Sequence, residues 1–129
     1  MTSSYNMSRE FKSINIAILT VSDTRTNMTD KSGDFLSNAV VDAGHNVVHK
    51  RIVKDELVEI KNVLEAWSMS SDIDVIISTG GTGLTKRDVS VEAHSQGYEK
   101  EITAFPSMFA SISMEKIGTS ALQSRACAG

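Results

Sequence analysis

The sequence predicts an α/β protein, a three-layer α/β/α sandwich with helices on both faces of a mostly parallel sheet. Three observations predict it. An apolar, β-branched run followed by a loop and a helical period occurs three times in succession. The first run, "INIAILTVS" from Ile14 to Ser22, is apolar nearly throughout, as a strand covered on both faces must be. The third run passes straight into Gly80, Gly81 and Gly83, where open α/β sheets expose backbone to ligands. Right-handed crossovers between such units make the strands parallel and put helices on both faces.

The elements follow in order. Residues 1–13, "MTSSYNMSREFKS", are polar and lack the apolar middle of a signal peptide, so they read as a flexible tail ahead of a domain spanning 14–129. After the first strand, "DTRTNMTDKSGD" reads as a loop. "DFLSNAVVDAG" then places Phe35, Leu36, Ala39, Val40 and Ala43 at helical spacing, with Gly44 as a left-handed cap. "HNVVHKRIVKD" alternates loosely as a second strand. "DELVEIKNVLEAW" sets Leu57, Ile60, Leu64 and Trp67 on one face behind Asp55, expected as the N-cap. The third strand lies in "DIDVIISTGGTG", and a helix from Ser90 is interrupted by "HSQGYEK". "AFPSMFASISMEKIG" is a final helix with Phe105, Met108, Phe109 and Ile112 at helical spacing, closed by Gly118. "TSALQSRACAG" follows with no strand or helix of its own, as though a further unit were missing.

With 129 residues, 40% apolar and 22% charged, the chain has the size and composition of one soluble domain. A formal charge of −3 offers no bulk attraction to nucleic acid or to an anionic membrane, so any anionic ligand needs a local site. No apolar run approaches the roughly 20 residues of a membrane helix. The single cysteine, Cys127, excludes an intrachain disulfide and suits a reducing, cytoplasmic setting. It lacks a histidine partner at nucleophile spacing, and His45, His49 and His94 are scattered, so none is assigned catalysis.

The chemistry concentrates in "ISTGGTGLTKRDVSVEA", Ile77 to Ala93. Free amides around Gly80, Gly81 and Gly83 could meet a phosphate, although the spacing fits neither a P-loop nor a dinucleotide fingerprint. A tight strand exit alone would also need these glycines, and the two readings stand about even. Asp88 shifts the balance, since a carboxylate beside phosphate-binding amides calls for a bridging cation such as Mg²⁺; it could also serve as a helix N-cap. Lys86 and Arg87 could offset phosphate charge, and Thr79, Thr82 and Ser90 bring hydroxyls. In a parallel sheet Asp23, Asp55 and Asp88 would share one edge.

"TGGTGLTKRDVSVEA" resembles the signature of molybdopterin-binding proteins of the MoaB/Mog type. The order "IAILTVSDTR", "DKSG", "AGHNVV", "IVKDE", "TGGTG" and "IGTSALQSRACAG" resembles MoaB along nearly the whole chain. The resemblance implies the MoaB/Mog-like fold, assembled as homotrimers or as hexamers built from trimers. It implies adenylylation of molybdopterin by ATP with Mg²⁺, yielding adenylyl-molybdopterin and pyrophosphate ahead of metal insertion by a partner enzyme. Residue by residue, Asp55 and Asp88 match the family's catalytic, metal-holding aspartates. Ser22 and Asp23 match the loop after the first strand, and Thr79, Gly80, Gly81, Thr82 and Gly83 match the nucleotide and pterin phosphate cradle. Ser124 and Arg125 match a pair near the pterin end.

Two departures are visible. "ITAFPSMF" stands where the family has a Pro-Gly-Phe-Gly-Glu type stretch, and the family continues past "SRACAG" with a strand, a Pro-Gly turn and a helix. The domain is therefore expected to be C-terminally incomplete. A catalytically idle molybdopterin binder or scaffold is the alternative to the transferase, and a nucleotide-pyrophosphate hydrolase is a third reading.

Overall fold

A computed structural model describes residues 9–129. Residues 1–8 of the expected tail lie outside the described residues. Phe11 places its ring 5.1 Å from that of His45, and Ser13 Oγ donates to the Gly44 carbonyl at 2.8 Å.

Three strands, β1 Asn15–Val21, β2 Asn46–Val53 and β3 Val75–Thr79, form a parallel sheet in the order β2-β1-β3. The apolar run of the first strand thus takes the centre, where it is hydrogen-bonded on both sides and buried from Ile16 to Val21. Helix α1, Lys31–Asp42, covers one face, with Ile16, Ile18 and Val40 packed against Leu36, Val47 and Ile77. Helices α2, Leu57–Ser68, and α3, Ser90–Ser95, cover the other, with Leu19, Val21, Val53, Ile60, Val63 and Ala93 as their core. The three layers expected from the sequence are therefore present. Ile18, Leu19 and Ile60 are wholly buried, each contributing about 1.5–3 kcal/mol through removal from water. Trp67 packs on the core and stacks on His49 at 6.0 Å.

Helix α1 starts at Lys31, inside the stretch read as loop, because Asp30 caps it: Oδ1 accepts the Gly33 amide at 2.9 Å. Only 1% exposed, Asp30 also accepts from Thr20 Oγ1 at 2.8 Å. Gly44 has φ +90°, the left-handed conformation expected of it. Asp55 does not cap α2. The backbone at Glu56 is extended, Glu56 occupies the N-cap position without a side-chain bond, and the Asp55 amide is drawn to Asp23 Oδ1 at 3.1 Å.

Helix α4, Phe105–Ile117, starts with Pro106 in its first turn and closes on Gly118 at φ +65°. It buries no residue, and its apolar spacing is exposed: Phe105, Met108, Phe109 and Ile112 all face solvent in the single chain. A 3₁₀ turn, Gly118–Gln123, leads to a final segment that returns to the glycine loop, where the Arg125 amide donates to the Thr82 carbonyl at 2.8 Å. Among the described residues no helix is long and apolar enough to cross a membrane.

Candidate functional site

In the order β2-β1-β3, the chain leaves β1 toward one side and returns to its other side as β3, so the crevice outside their carboxyl ends is the topological switch point. The glycine loop sits there. Gly80 has φ +91°, and a Cβ on it would lie 2.1 Å from the Val21 carbonyl oxygen. Gly81 has φ +65°, and its Cβ would lie 2.5 Å from Ser90 Oγ and 2.8 Å from Asp55 Oδ1. Both positions demand glycine by conformation and by space.

All four carbonyls of the loop are held by the protein. Buried Ser90 donates from its amide to Gly81 at 3.0 Å and from Oγ to Gly80 at 2.6 Å. Arg125 donates from its amide to Thr82 at 2.8 Å and from Nε to Gly83 at 2.9 Å. The amides of Gly81 and Thr82 meet no protein acceptor among the described residues. With carbonyls committed and amides open, such a loop can receive an anion.

Arg125, expected near the pterin, is engaged in bracing this loop. Besides Gly83, its guanidinium donates to the Asp88 carbonyl at 2.8 Å and to the Glu92 carboxylate at 3.1 Å, which holds Glu92 below the usual carboxylate range. Neighbouring Ser124 is exposed, its amide on the Ala121 carbonyl at 3.2 Å.

The parallel sheet brings Asp23, Asp55 and Asp88 to one edge, as the topology required. Their states differ. Arg87 donates to Asp23 from two nitrogens at 2.9 and 3.1 Å, and this pairing lowers the Asp23 pKa. Arg87 is thus paired with the protein rather than left to a phosphate. Asp88 does not cap α3, whose N-cap is Val89 without a side-chain bond. Its Oδ2 accepts the Thr85 hydroxyl at 2.5 Å and the Thr85 amide at 3.0 Å, which lowers its pKa and shapes the loop. Asp55 is the opposite case: burial, then the charges of Asp23 and Asp88, raise its pKa, and no ion pair neutralises it among the described residues.

No group of three His, Cys, Asp or Glu side chains with metal-holding geometry exists among the described residues. Mg²⁺ does not need one, since it usually keeps several waters and takes one or two carboxylates plus substrate phosphates. Asp55, which no ion pair holds among the described residues, is the aspartate of this edge that can serve as one such carboxylate.

Sequence reasoning missed Asp30 and the bracing role of His94. The His94 ring spans the Ser90 carbonyl and Ser78 Oγ, each at 2.6 Å, fastening α3 to β3 beneath the loop. The carbonyl can only accept, so Nδ1 carries the proton and Nε2 accepts from Ser78. Burial lowers the His94 pKa, in keeping with a neutral ring. Nothing in the local sequence signals this role.

Comparison with known proteins agrees with the geometry. Residues 17–128 match the family described as "Probable molybdopterin binding domain". Molybdenum cofactor biosynthesis protein B of Escherichia coli (strain K12) is 46% identical over 123 residues, 95% of this chain and 72% of that protein. Its counterpart in Bacillus cereus is 46% identical over 119 residues, 92% of this chain and 70% of that one. A crystal structure of molybdenum cofactor biosynthesis protein B superposes with a TM-score of 0.87 at 45% identity, covering 92% of this chain and 74% of the other. The tungsten cofactor synthesizing protein MoaB from Pyrococcus furiosus does so with a TM-score of 0.79 at 31% identity, covering 93% and 74%. With this coverage, and with the glycine loop at the switch point of a MoaB/Mog-like fold, the chain belongs to the molybdopterin-binding domain family.

Proposed function

We propose that this protein acts in molybdenum cofactor biosynthesis as a molybdopterin adenylyltransferase. The observation that carries the proposal is the glycine loop, its four carbonyls bound to the protein and the Gly81 and Thr82 amides open, beside the carboxylate of Asp55, which forms no ion pair among the described residues. A phosphate oxygen of molybdopterin attacks the α-phosphorus of ATP; the new P–O bond forms as the bond to pyrophosphate breaks. Such a transfer needs positioned donors and charge neutralisation rather than a nucleophile on the protein. The chain suits that requirement, because neither Cys127 nor a histidine adjoins the loop carboxylates. Thr79 to Gly83 hold phosphate oxygens through the loop, Ser22 and Asp23 border the site from β1, and Ser90 and Arg125 keep the loop from reorganising as charge moves. Asp55 and Asp88 would hold Mg²⁺, which supplies charge neutralisation for the phosphates when bound.

The exposed apolar face of α4 supports an oligomer, a homotrimer or a hexamer, and handing the product to a molybdenum-insertion enzyme completes the proposal. A cytoplasmic location goes with it. The test is mass spectrometry of a reaction holding purified protein, ATP, Mg²⁺ and molybdopterin. Adenylyl-molybdopterin is expected, at least 100-fold reduced in Asp55→Ala. Molybdopterin binding without product would replace this reading with that of a binder or scaffold, and AMP release without pterin with that of a hydrolase.

A further inference from the structure

The two open amides of the glycine loop belong to peptide units whose carbonyls are both held by one residue. Ser90 Oγ donates to the Gly80 carbonyl at 2.6 Å, and the Ser90 amide donates to the Gly81 carbonyl at 3.0 Å. In a planar trans peptide the carbonyl and the next amide point opposite ways. Holding the Gly80 carbonyl therefore turns the Gly81 amide outward, and holding the Gly81 carbonyl does the same for the Thr82 amide. Gly80 at φ +91° and Gly81 at φ +65° have no side chain to resist rotation of either unit. Freed, each unit can swing its carbonyl, the negative end of its dipole, to the side an anion would take. The direction of both amides rests on Ser90.

Ser90 needs support in turn, because its helix gives little. Helix α3 has six residues, Ser90–Ser95, and its N-cap, Val89, makes no side-chain bond; a helix so short is marginal by itself. Ala93 packs it on the core, and the His94 ring fixes its first residue. Nδ1 donates to the Ser90 carbonyl and Nε2 accepts from Ser78 Oγ, each at 2.6 Å. Ser78 lies on β3, two residues before Gly80, and its hydroxyl has no other protein partner among the described residues. One imidazole thus ties the residue that clamps the loop to the strand that enters it.

We infer that His94 is a positioning residue of the glycine loop: acting through Ser90, it keeps the Gly80 and Gly81 carbonyls turned inward and so aims both open amides at an incoming phosphate. A brace that served stability alone would leave the anion affinity of the folded chain unchanged. That the phosphate is a substrate's rests on the proposed function; the aim of the amides does not.

The test is nuclear magnetic resonance of the isotope-labelled full chain titrated with inorganic pyrophosphate, following the Gly81 and Thr82 amide signals, with circular dichroism as the check of folding. In the wild type both signals move with one affinity, and the His94 ring shows Nδ1 protonated and Nε2 unprotonated. His94→Leu, which loses both ring hydrogen bonds, is expected to bind about ten-fold more weakly, the worth of roughly one net hydrogen bond, with both amide responses diminished. His94→Asn, with an amide donor near the place of Nδ1, should recover most of that affinity. Ser78→Ala cuts the ring from β3 with a smaller change and should weaken both responses about three-fold, which keeps the test decisive where His94→Leu does not fold. Unchanged affinity in folded His94→Leu, or in Ser78→Ala where that variant does not fold, would overturn the inference. So would wild-type Gly81 and Thr82 amides that ignore pyrophosphate. A wild type that shows the amide response yet makes no adenylyl-molybdopterin would sink the proposed function and leave the role of His94 standing.

Discussion

At the scale of single residues, Gly81 and Asp55 carry the site in opposite ways. Gly81→Ala places a methyl group against Ser90 Oγ and Asp55 Oδ1 in a left-handed backbone, which costs about 1–3 kcal/mol and closes the loop to phosphate. A denaturant midpoint lowered to match, with loss of adenylylation, is the expected outcome. The raised pKa of Asp55 works against folding wherever the group is ionised. A carboxyl whose pKa is higher in the fold than in the unfolded chain is harmless below the ordinary range near about 4; its cost appears as pH rises through its folded pKa. Asp55→Asn should therefore melt higher than the wild type at neutral pH, with the gain vanishing toward pH 3, while Mg²⁺ binding is lost. In the wild type, Mg²⁺ affinity measured across acidic pH should rise as Asp55 ionises. Asp23 and Asp88 have the reverse sign: their lowered pKa values favour the folded loop above the ordinary range, and that support fades as the pH drops through them.

At the scale of elements, most of the architecture could be read from periodicity because each strand and helix has its own apolar pattern. The first strand reads as central because burial on both faces leaves no polar position from Ile16 to Leu19. What escaped depends on contacts distant in sequence. Asp30 looks like one polar loop residue among many; its role comes from Thr20, ten residues earlier, and from complete burial. Asp30→Ala removes the α1 cap and strands the Thr20 hydroxyl, an expected loss of about 2–4 kcal/mol in equilibrium urea unfolding. Asp55 and Asp88 read as N-caps in the sequence, yet each stands one residue before the N-cap and is engaged by a loop partner, Asp23 for one and Thr85 for the other. The edge that gathers the three aspartates was readable because it follows from parallel strands alone. Which of them is paired and which is left without an ion pair depends on Arg87, whose pairing with Asp23 spans 64 residues.

At the scale of the whole molecule, α4 contradicts the ordinary meaning of an apolar stripe. The spacing of Phe105, Met108, Phe109 and Ile112 reads as a core-facing helix, but within the single chain it covers nothing. Apolar surface of this kind, stacked at Phe105 and Phe109 with centroids 6.0 Å apart, suits contact with another copy of the chain. Sedimentation velocity should find an oligomer for the wild type and a smaller species for Phe109→Glu, with the far-ultraviolet spectrum unchanged.

The central claim is that the glycine loop and Asp55 transfer an adenylyl group to molybdopterin. Its most direct measurement is pyrophosphate release from ATP and Mg²⁺ in the presence and absence of molybdopterin, for the wild type and Asp55→Asn. The predicted result is release that requires molybdopterin, matches adenylyl-molybdopterin one for one and is lost in the variant. Release indifferent to molybdopterin, or undiminished in Asp55→Asn, would contradict it.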